Sequence, residues 1–280
     1  MIGALTAKLA LSLYILSAGG YLVFIFRQNT RAVQGAVWVI RLGFLLQSVS
    51  LILRTASLGQ LPILNLAEAL CFFAWAVVGV YLLLSVRFNI PALGAFVAPL
   101  AALMILVSLL FPSKPLIVAP IFKSVWLSMH LGTIFMGYGF FALAGVAGGM
   151  YLIQEHQIKA KHTGGVYRRF PSLNALDTLN YYSLTMGFPM ITLGIIFGAA
   201  YAELSLGRYW RWDPKEVWSL ITWLIYAALL HQRLTVGWRG RRAAILSIAG
   251  FLVLCFIFLG VNFLLPSYHN FQSLEQLQVK

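Results

Sequence analysis

Acidic residues are scarce in this chain. There are 7 Asp+Glu in 280 residues, and charged residues of both signs make up only 10%. Soluble domains carry about a quarter charged residues, so this chain could not cover a water-facing surface, and that class is excluded. Disorder is excluded by the opposite excess, 61% hydrophobic residues, because disordered segments have low hydrophobicity. Cysteine is nearly absent. Cys71 and Cys255 both lie in apolar runs, with no CxxC and no CxxCH, so the chain offers no disulfide framework and no thiol–disulfide chemistry of its own. There is no repeat of 20–50 residues and no low-complexity tract. No cleavage pattern follows the first apolar run, which is therefore read as a retained helix. What remains is an all-α polytopic membrane protein forming one unit over residues 1–280.

Long apolar runs are what the chain has in their place, with a mean hydropathy of +0.86. A spanning helix needs roughly 20 mostly apolar residues. Eight segments qualify: 5–26, 36–53, 66–86, 91–111, 125–153, 180–200, 216–234 and 243–265. The run at 125–153 exceeds what a bilayer requires, so it must tilt or protrude. Lys8 and Arg41 lie near segment ends, where long side chains can snorkel to the headgroups. Leu173, Leu176 and Leu179 suggest a short interfacial helix. Gly145–Gly149 and Gly194–Gly198 are small-xxx-small pairs that let helices pack closely.

The net charge of +13 is the usual mark of nucleic-acid binding. Here the basic residues sit in short segments between apolar runs, which suits membrane orientation and not nucleic acid. Eight spans put both termini on one side. Of the 20 basic residues, 11 fall in one set of loops and 8 in the set that holds the termini. The denser set includes the basic loops 154–179 and 235–242. By the positive-inside rule these are cytoplasmic, and both termini with loops 54–65, 112–124 and 201–215 are extracytoplasmic.

The chemistry concentrates in residues 201–231. Trp210, Trp212, Trp218 and Trp223, four of the eight tryptophans, lie within 14 residues. An interfacial aromatic belt explains tryptophans at helix ends, but a belt spreads them over many ends. Asp213, Pro214 and Glu216 have a structural reading as N-cap, first helical residue and capping-box partner. That reading leaves Arg208, Trp210, Arg211 and Trp212 unexplained. Indole faces stack on a flat ring, and guanidiniums clamp carboxylates. A porphyrin with two propionates fits that description.

Five histidines test the idea. His156 and His162 lie among lysines in the basic loop and are read as solvated. His130, near the outer end of the fifth span, and His269, just past the eighth, fall on the side of the tryptophan loop. Each alone is an ordinary interfacial residue; together they could ligate one haem iron from both faces. His231 lies 18 positions after Asp213, about 27 Å deeper at 1.5 Å per residue, and cannot serve the same iron. It is either a snorkelling end residue or half of an inner site whose second histidine this chain lacks. Glu68, near the outer end of the third span, is an intramembrane acid that can face the pocket or pair with Arg208 or Arg211.

GRYWRWDPKEVWSLITWLIYAALLHQR (207–233) resembles the tryptophan-rich WWD signature of the cytochrome c assembly family, in its CcsA/ResC branch of system II cytochrome c biogenesis. NLAEALCFFAW, VWLSMHLGTIFMGYGFFAL, GWRGRRAAILSIAGF and GVNFLLPSYHNF extend the resemblance over most of the chain. It implies transient binding of haem b, with His130 and His269 as ligands of an external haem. Arg208, Tyr209, Trp210, Arg211, Trp212, Asp213 and Trp218 would line that site, and His231 would hold haem in the membrane. It further implies a CcsB/ResB-type membrane subunit that carries the missing inner histidine, and an apocytochrome c whose CxxCH receives the haem. The chain would then be the haem-handling half of a holocytochrome c synthase, with no catalytic residue assigned. The implied home is the bacterial cytoplasmic membrane ahead of the thylakoid. Where the family usually has Trp, this chain has Tyr201 and Leu206, and its last segment reads PSYHNF in place of GLHSY. A HemX-like branch, tied to control of haem synthesis, shares much of the pattern and is the alternative.

Overall fold

Helix pairing in this chain can be followed through its few polar side chains. The structure is a computed structural model and describes residues 2–27, 29–63, 65–88, 90–111, 122–161 and 164–261. Helices α1 (Ile2–Arg27) and α2 (Thr30–Leu58) form an antiparallel pair. Thr6 and Ser50 hydroxyls meet at 2.8 Å, and the Tyr14 hydroxyl donates to Gln47 Oε1 at 2.7 Å. Helix α3 (Leu66–Arg87) returns along α2. Gln47 Nε2 donates to the Cys71 carbonyl at 2.8 Å, and Trp75 Nε1 donates to Ser48 Oγ at 2.7 Å. Helix α4 (Pro91–Ser108) packs between α3 and α1. In an apolar medium such interhelical hydrogen bonds hold the segments together where burial from water cannot.

Helix α5 (Val125–Lys159) is the central post and packs on α3, α7 (Leu173–Leu206) and α9 (Arg241–Cys255). A β-carbon on Gly148 would lie 2.7 Å from the Ala244 carbonyl oxygen, so only glycine lets α5 and α9 approach this closely. Of the first expected small-residue pair, Gly145 does meet Phe251, while Gly149 faces open space. Helix α8 (Pro214–His231) lies against α7 and α9, and its buried Tyr226 stacks on Phe141 with centroids 3.4 Å apart. A five-residue helix, α6 (Gly165–Arg169), lies between α5 and α7.

These pairings give the bundle two ends. One holds the start of α1, the end of α7, the start of α8 and the end of α9; it is the tryptophan end. The other, the basic end, holds the α5–α7 and α8–α9 connections with Lys159, Arg168, Arg169, Arg239, Arg241 and Arg242.

Seven described helices are long and apolar enough to cross a membrane: α1 to α5, α7, and α9 with its extension to Gly260. Eight such spans are expected from the sequence. The remaining segment, 216–234, forms α8, a continuous 18-residue helix. Its polar ends, Lys215 and Glu216 at the start and His231 at the finish, dilute its apolar middle. Helix α5 runs 35 residues, about 52 Å at 1.5 Å per residue, well beyond the roughly 30 Å of a bilayer's hydrocarbon core. The expected short interfacial helix does not exist as a separate element. Ser172 caps α7, which runs unbroken from Leu173, and Leu176 and Leu179 are fully buried in the bundle. No helix breaker separates 179 from 180, and continuity costs nothing. The loop expected over 154–179 is therefore mostly helix, and the irregular part of 201–215 is only 207–213.

Candidate functional site

The tryptophan loop is built by one helix stop and one helix start. Gly207, at φ 67°, ends α7 with its N–H on the Glu203 carbonyl; left-handed backbone at this point favours glycine. Six residues later Asp213 caps α8, with Pro214 in the first turn. Asp213 Oδ2 accepts from the Lys215 N–H at 3.2 Å. Glu216 Oε2 reaches back to accept the N–H of Arg211 at 2.7 Å and of Asp213 at 3.3 Å. The capping box expected from DPKE is present and does more than cap, because the Arg211 bond ties down the middle of the loop.

Held this way, the loop shows its aromatic side. Tyr209 is 64% and Trp212 is 72% exposed. Trp212 has φ +61°, a left-handed conformation that a bulky residue rarely adopts. Trp210 packs edge-on against Trp212, with ring centroids 5.9 Å apart at 85°. The Trp210 indole nitrogen is buried and has no hydrogen-bond partner among the described residues. A buried donor left unmet is rare enough in proteins to require an explanation. Arg208 is exposed and forms no ion pair among the described residues. Asp213 is buried, and its capping role accounts for it. Burial pushes the Lys215 ammonium down to about 8, against the opposing pull of the Asp213 carboxylate.

Two of the four tryptophans belong to the helix packing. Trp218 packs edge-on against Phe256 at 4.9 Å. Trp223 Nε1 donates to Thr192 Oγ1 at 2.9 Å, and its ring lies 5.3 Å from Phe188. Trp223 is thus a strut between α7 and α8.

His130 stands in the second turn of α5 at the tryptophan end, partly buried against α7. Its Nδ1 lies 2.7 Å from the Gly194 carbonyl oxygen. A carbonyl can only accept, so Nδ1 is the donor, and in the neutral ring Nε2 carries the lone pair. Metal-binding histidines are commonly oriented by such a bond. A β-carbon on Gly198 would lie 2.6 Å from His130 Nδ1; the second small-residue pair makes the seat for this ring. His269 lies outside the described residues. The chain reaches the tryptophan end at Val261, at the close of a π-helical stretch from Phe256.

His231 ends α8 at the opposite end and is exposed. The structure therefore brings His130 and the tryptophan loop to one end and separates His231 from both. A π-helical turn, Gln232–Val236, follows His231 directly. Just beyond lies a group that residue types alone do not reveal. Buried Arg233 donates to Asp177 Oδ2 at 2.6 Å and to the Asp177 carbonyl at 2.8 Å, and Asp177 Oδ1 accepts from the Gly240 N–H at 2.8 Å. Arg233 also lies over the Tyr181 ring at 5.0 Å. Of the two partners expected for Glu68, Arg208 and Arg211, neither forms an ion pair with it among the described residues. Glu68 binds Arg54 on α2, because its turn of α3 faces α2.

The geometry defines an integral membrane protein with an aromatic, cationic loop at one end of its helical bundle. Residues 63–269 match the cytochrome c assembly protein family, and the chain belongs to that family. It is 36% identical to cytochrome c biogenesis protein CcsA of Chlamydomonas reinhardtii over 237 residues, covering 81% of this chain and 65% of that protein. It is 34% identical to the CcsA of Prochlorococcus marinus over 267 residues, covering 84% of each. The cytochrome c heme lyase CcmF has the same fold over 99% of this chain and 50% of its own length, with a TM-score of 0.63 at 17% identity. The two CcsA relatives place the chain in the CcsA branch and in cytochrome c biogenesis, while the lyase shows the shared fold.

Proposed function

We propose that the chain carries haem b as cargo across its membrane and presents it at the tryptophan end for covalent attachment to apocytochrome c. The observation that carries this reading is the tryptophan loop itself, with Trp212 held exposed at a positive φ and a buried Trp210 N–H. It shares one end of the bundle with a histidine whose ring is oriented through Nδ1 by the Gly194 carbonyl. These residues fit haem. The indoles supply flat apolar faces. Arg208, Arg211 and the Trp210 N–H supply donors for propionates. His130 Nε2 and His269 supply axial ligands. Entry is at the basic end through His231, with a second histidine from a CcsB/ResB-type subunit. The apocytochrome CxxCH docks outside, its two thiols add across the haem vinyl groups, and its histidine replaces one axial ligand. The protein contributes ligation, orientation and shielding, while the bond-making belongs to haem and thiols. The positive-inside rule puts the basic end in the cytoplasm and the tryptophan end outside. The host membrane is the bacterial cytoplasmic membrane, with the thylakoid as its counterpart.

The test is a pair of variants. In the full complex, changing both His130 and His269 to Ala removes external haem from the optical spectrum and halts c-type cytochrome maturation. Normal maturation in that variant ends the proposal. His231→Ala lowers haem loading, and added imidazole partly restores it by filling the vacated coordination position. Unchanged haem content makes His231 an end residue only.

A further inference from the structure

A cavity lies away from the tryptophan loop, among α1 to α4 at the same end of the bundle. Its volume is about 360 Å³, within the usual range of roughly 300–1,000 Å³ for ligand sites. It draws partly on α1 and α2, which precede the matched family region beginning at residue 63. Lys8 and Arg54 lie on its wall with Glu68, and Phe72, Trp75 and Phe111 form the apolar part. Glu68 is buried and binds Arg54 through one nitrogen, Nη2. A guanidinium has five N–H donors, so most of the Arg54 fork remains for another acceptor while the carboxylate holds it in place. Lys8 forms no ion pair among the described residues. Of the three charges lining the cavity, two are positive and one negative, so the cavity favours an anion. Its other polar groups largely satisfy each other: Ser108 Oγ with Cys71 Sγ at 3.2 Å, Thr6 with Ser50, and Gln47 with Tyr14 and the Cys71 carbonyl.

We propose that this cavity binds the headgroup of an anionic phospholipid from the leaflet at the tryptophan end. The phosphate sits between Lys8 and Arg54, and the first carbons of a chain lie on Phe72, Trp75 and Phe111. The chemistry recognised is a phosphate oxyanion joined to an apolar body. All four of the cavity's helices are membrane-spanning candidates whose apolar faces line it next to its cations, and that gradient selects an amphiphile over a free ion.

The experiment is native mass spectrometry of the purified full-length protein with phosphatidylglycerol, phosphatidylcholine or inorganic phosphate added. One phosphatidylglycerol should bind saturably and in preference to phosphatidylcholine. Lys8→Gln should weaken it about tenfold, the scale of one lost charged contact, and Lys8→Arg should restore it. Equal retention in wild type and Lys8→Gln overturns the site. Displacement of the lipid by inorganic phosphate at similar concentration overturns the lipid as ligand and assigns the cavity to a soluble anion. None of these readouts involves haem, so the outcome is separate from that of the haem proposal.

Discussion

Helix α8 begins and ends in opposite ways. Its start is secured by groups within six residues of one another: Arg211, Asp213, Lys215 and Glu216 satisfy the orphan N–H groups locally. Aromatic surface is left exposed as a result. Its finish is secured by a partner 56 positions away in sequence, the Arg233–Asp177 pair, which also binds Gly240 and so ties α7, α8 and the start of α9 together. There the charge is buried and a histidine is left exposed. The tryptophan end is thus a self-supporting platform, and the basic end is a tertiary knot. Changes at the first should alter what the protein binds, and changes at the second whether it folds.

The largest effect should come from the knot. The side chains of Arg233 and Asp177 are only 6% and 14% exposed. Breaking a buried pair by removing one partner costs about 3–5 kcal/mol. Arg233→Leu should therefore sharply lower the yield of folded protein and its unfolding temperature. Changing Asp177 to Leu as well should recover only part of the loss, because the Gly240 N–H would then lose its acceptor. If thermal unfolding of Arg233→Leu matches wild type, the two ends do not differ in the way described.

Trp212 should give a smaller effect, with stability and binding moving in opposite directions. A non-glycine residue in a disfavoured backbone region costs about 1–3 kcal/mol, and Trp212 at φ +61° is mostly exposed, so it has little packing to lose. Trp212→Gly should raise the unfolding temperature of the haem-free protein slightly while reducing haem retention. A fall in both would mean that the backbone there is not strained. Glu216 sharpens the same point. Glu216→Ala removes the acceptor for two loop N–H groups, and losses at helix caps are about 1 kcal/mol. Glu216→Gln keeps a carbonyl oxygen in place. The haem absorption band should shift in the Ala variant and much less in the Gln variant.

How much of this the sequence carries depends on distance along the chain. The capping box is written in consecutive letters, and so is the glycine stop at 207, so the platform can be anticipated. Gly194 and Gly198 mark a close approach, but not that His130 is what fits there, because that contact joins residues 64 apart. Leu173, Leu176 and Leu179 have the same spacing whether they lie on a membrane surface or in a core; packing against α5 decides it. The Glu68 partner could not be chosen among several arginines without knowing which face of α3 meets α2. Neither the π-helical turn after His231 nor the positive φ of Trp212 has a letter code, since both are set by what surrounding contacts enforce.

Lys215 offers the finest test, one of pH. Its pKa falls from the ordinary 10.5 to about 8 in the folded protein, chiefly by burial. Between those values the unfolded chain binds more protons than the folded one, so stability must rise with pH across that window. Below about 8 the ammonium is charged in both states and the full cost of its burial is present. Lys215→Met removes that cost and the slope with it. The variant should therefore exceed wild type in unfolding temperature at about pH 7, and the gap should close toward pH 10. Because the group is half-buried and beside Asp213, the change should be modest. A gap that stays constant with pH would mean that Lys215 keeps an ordinary pKa, and that the start of α8 is wetter than its packing indicates.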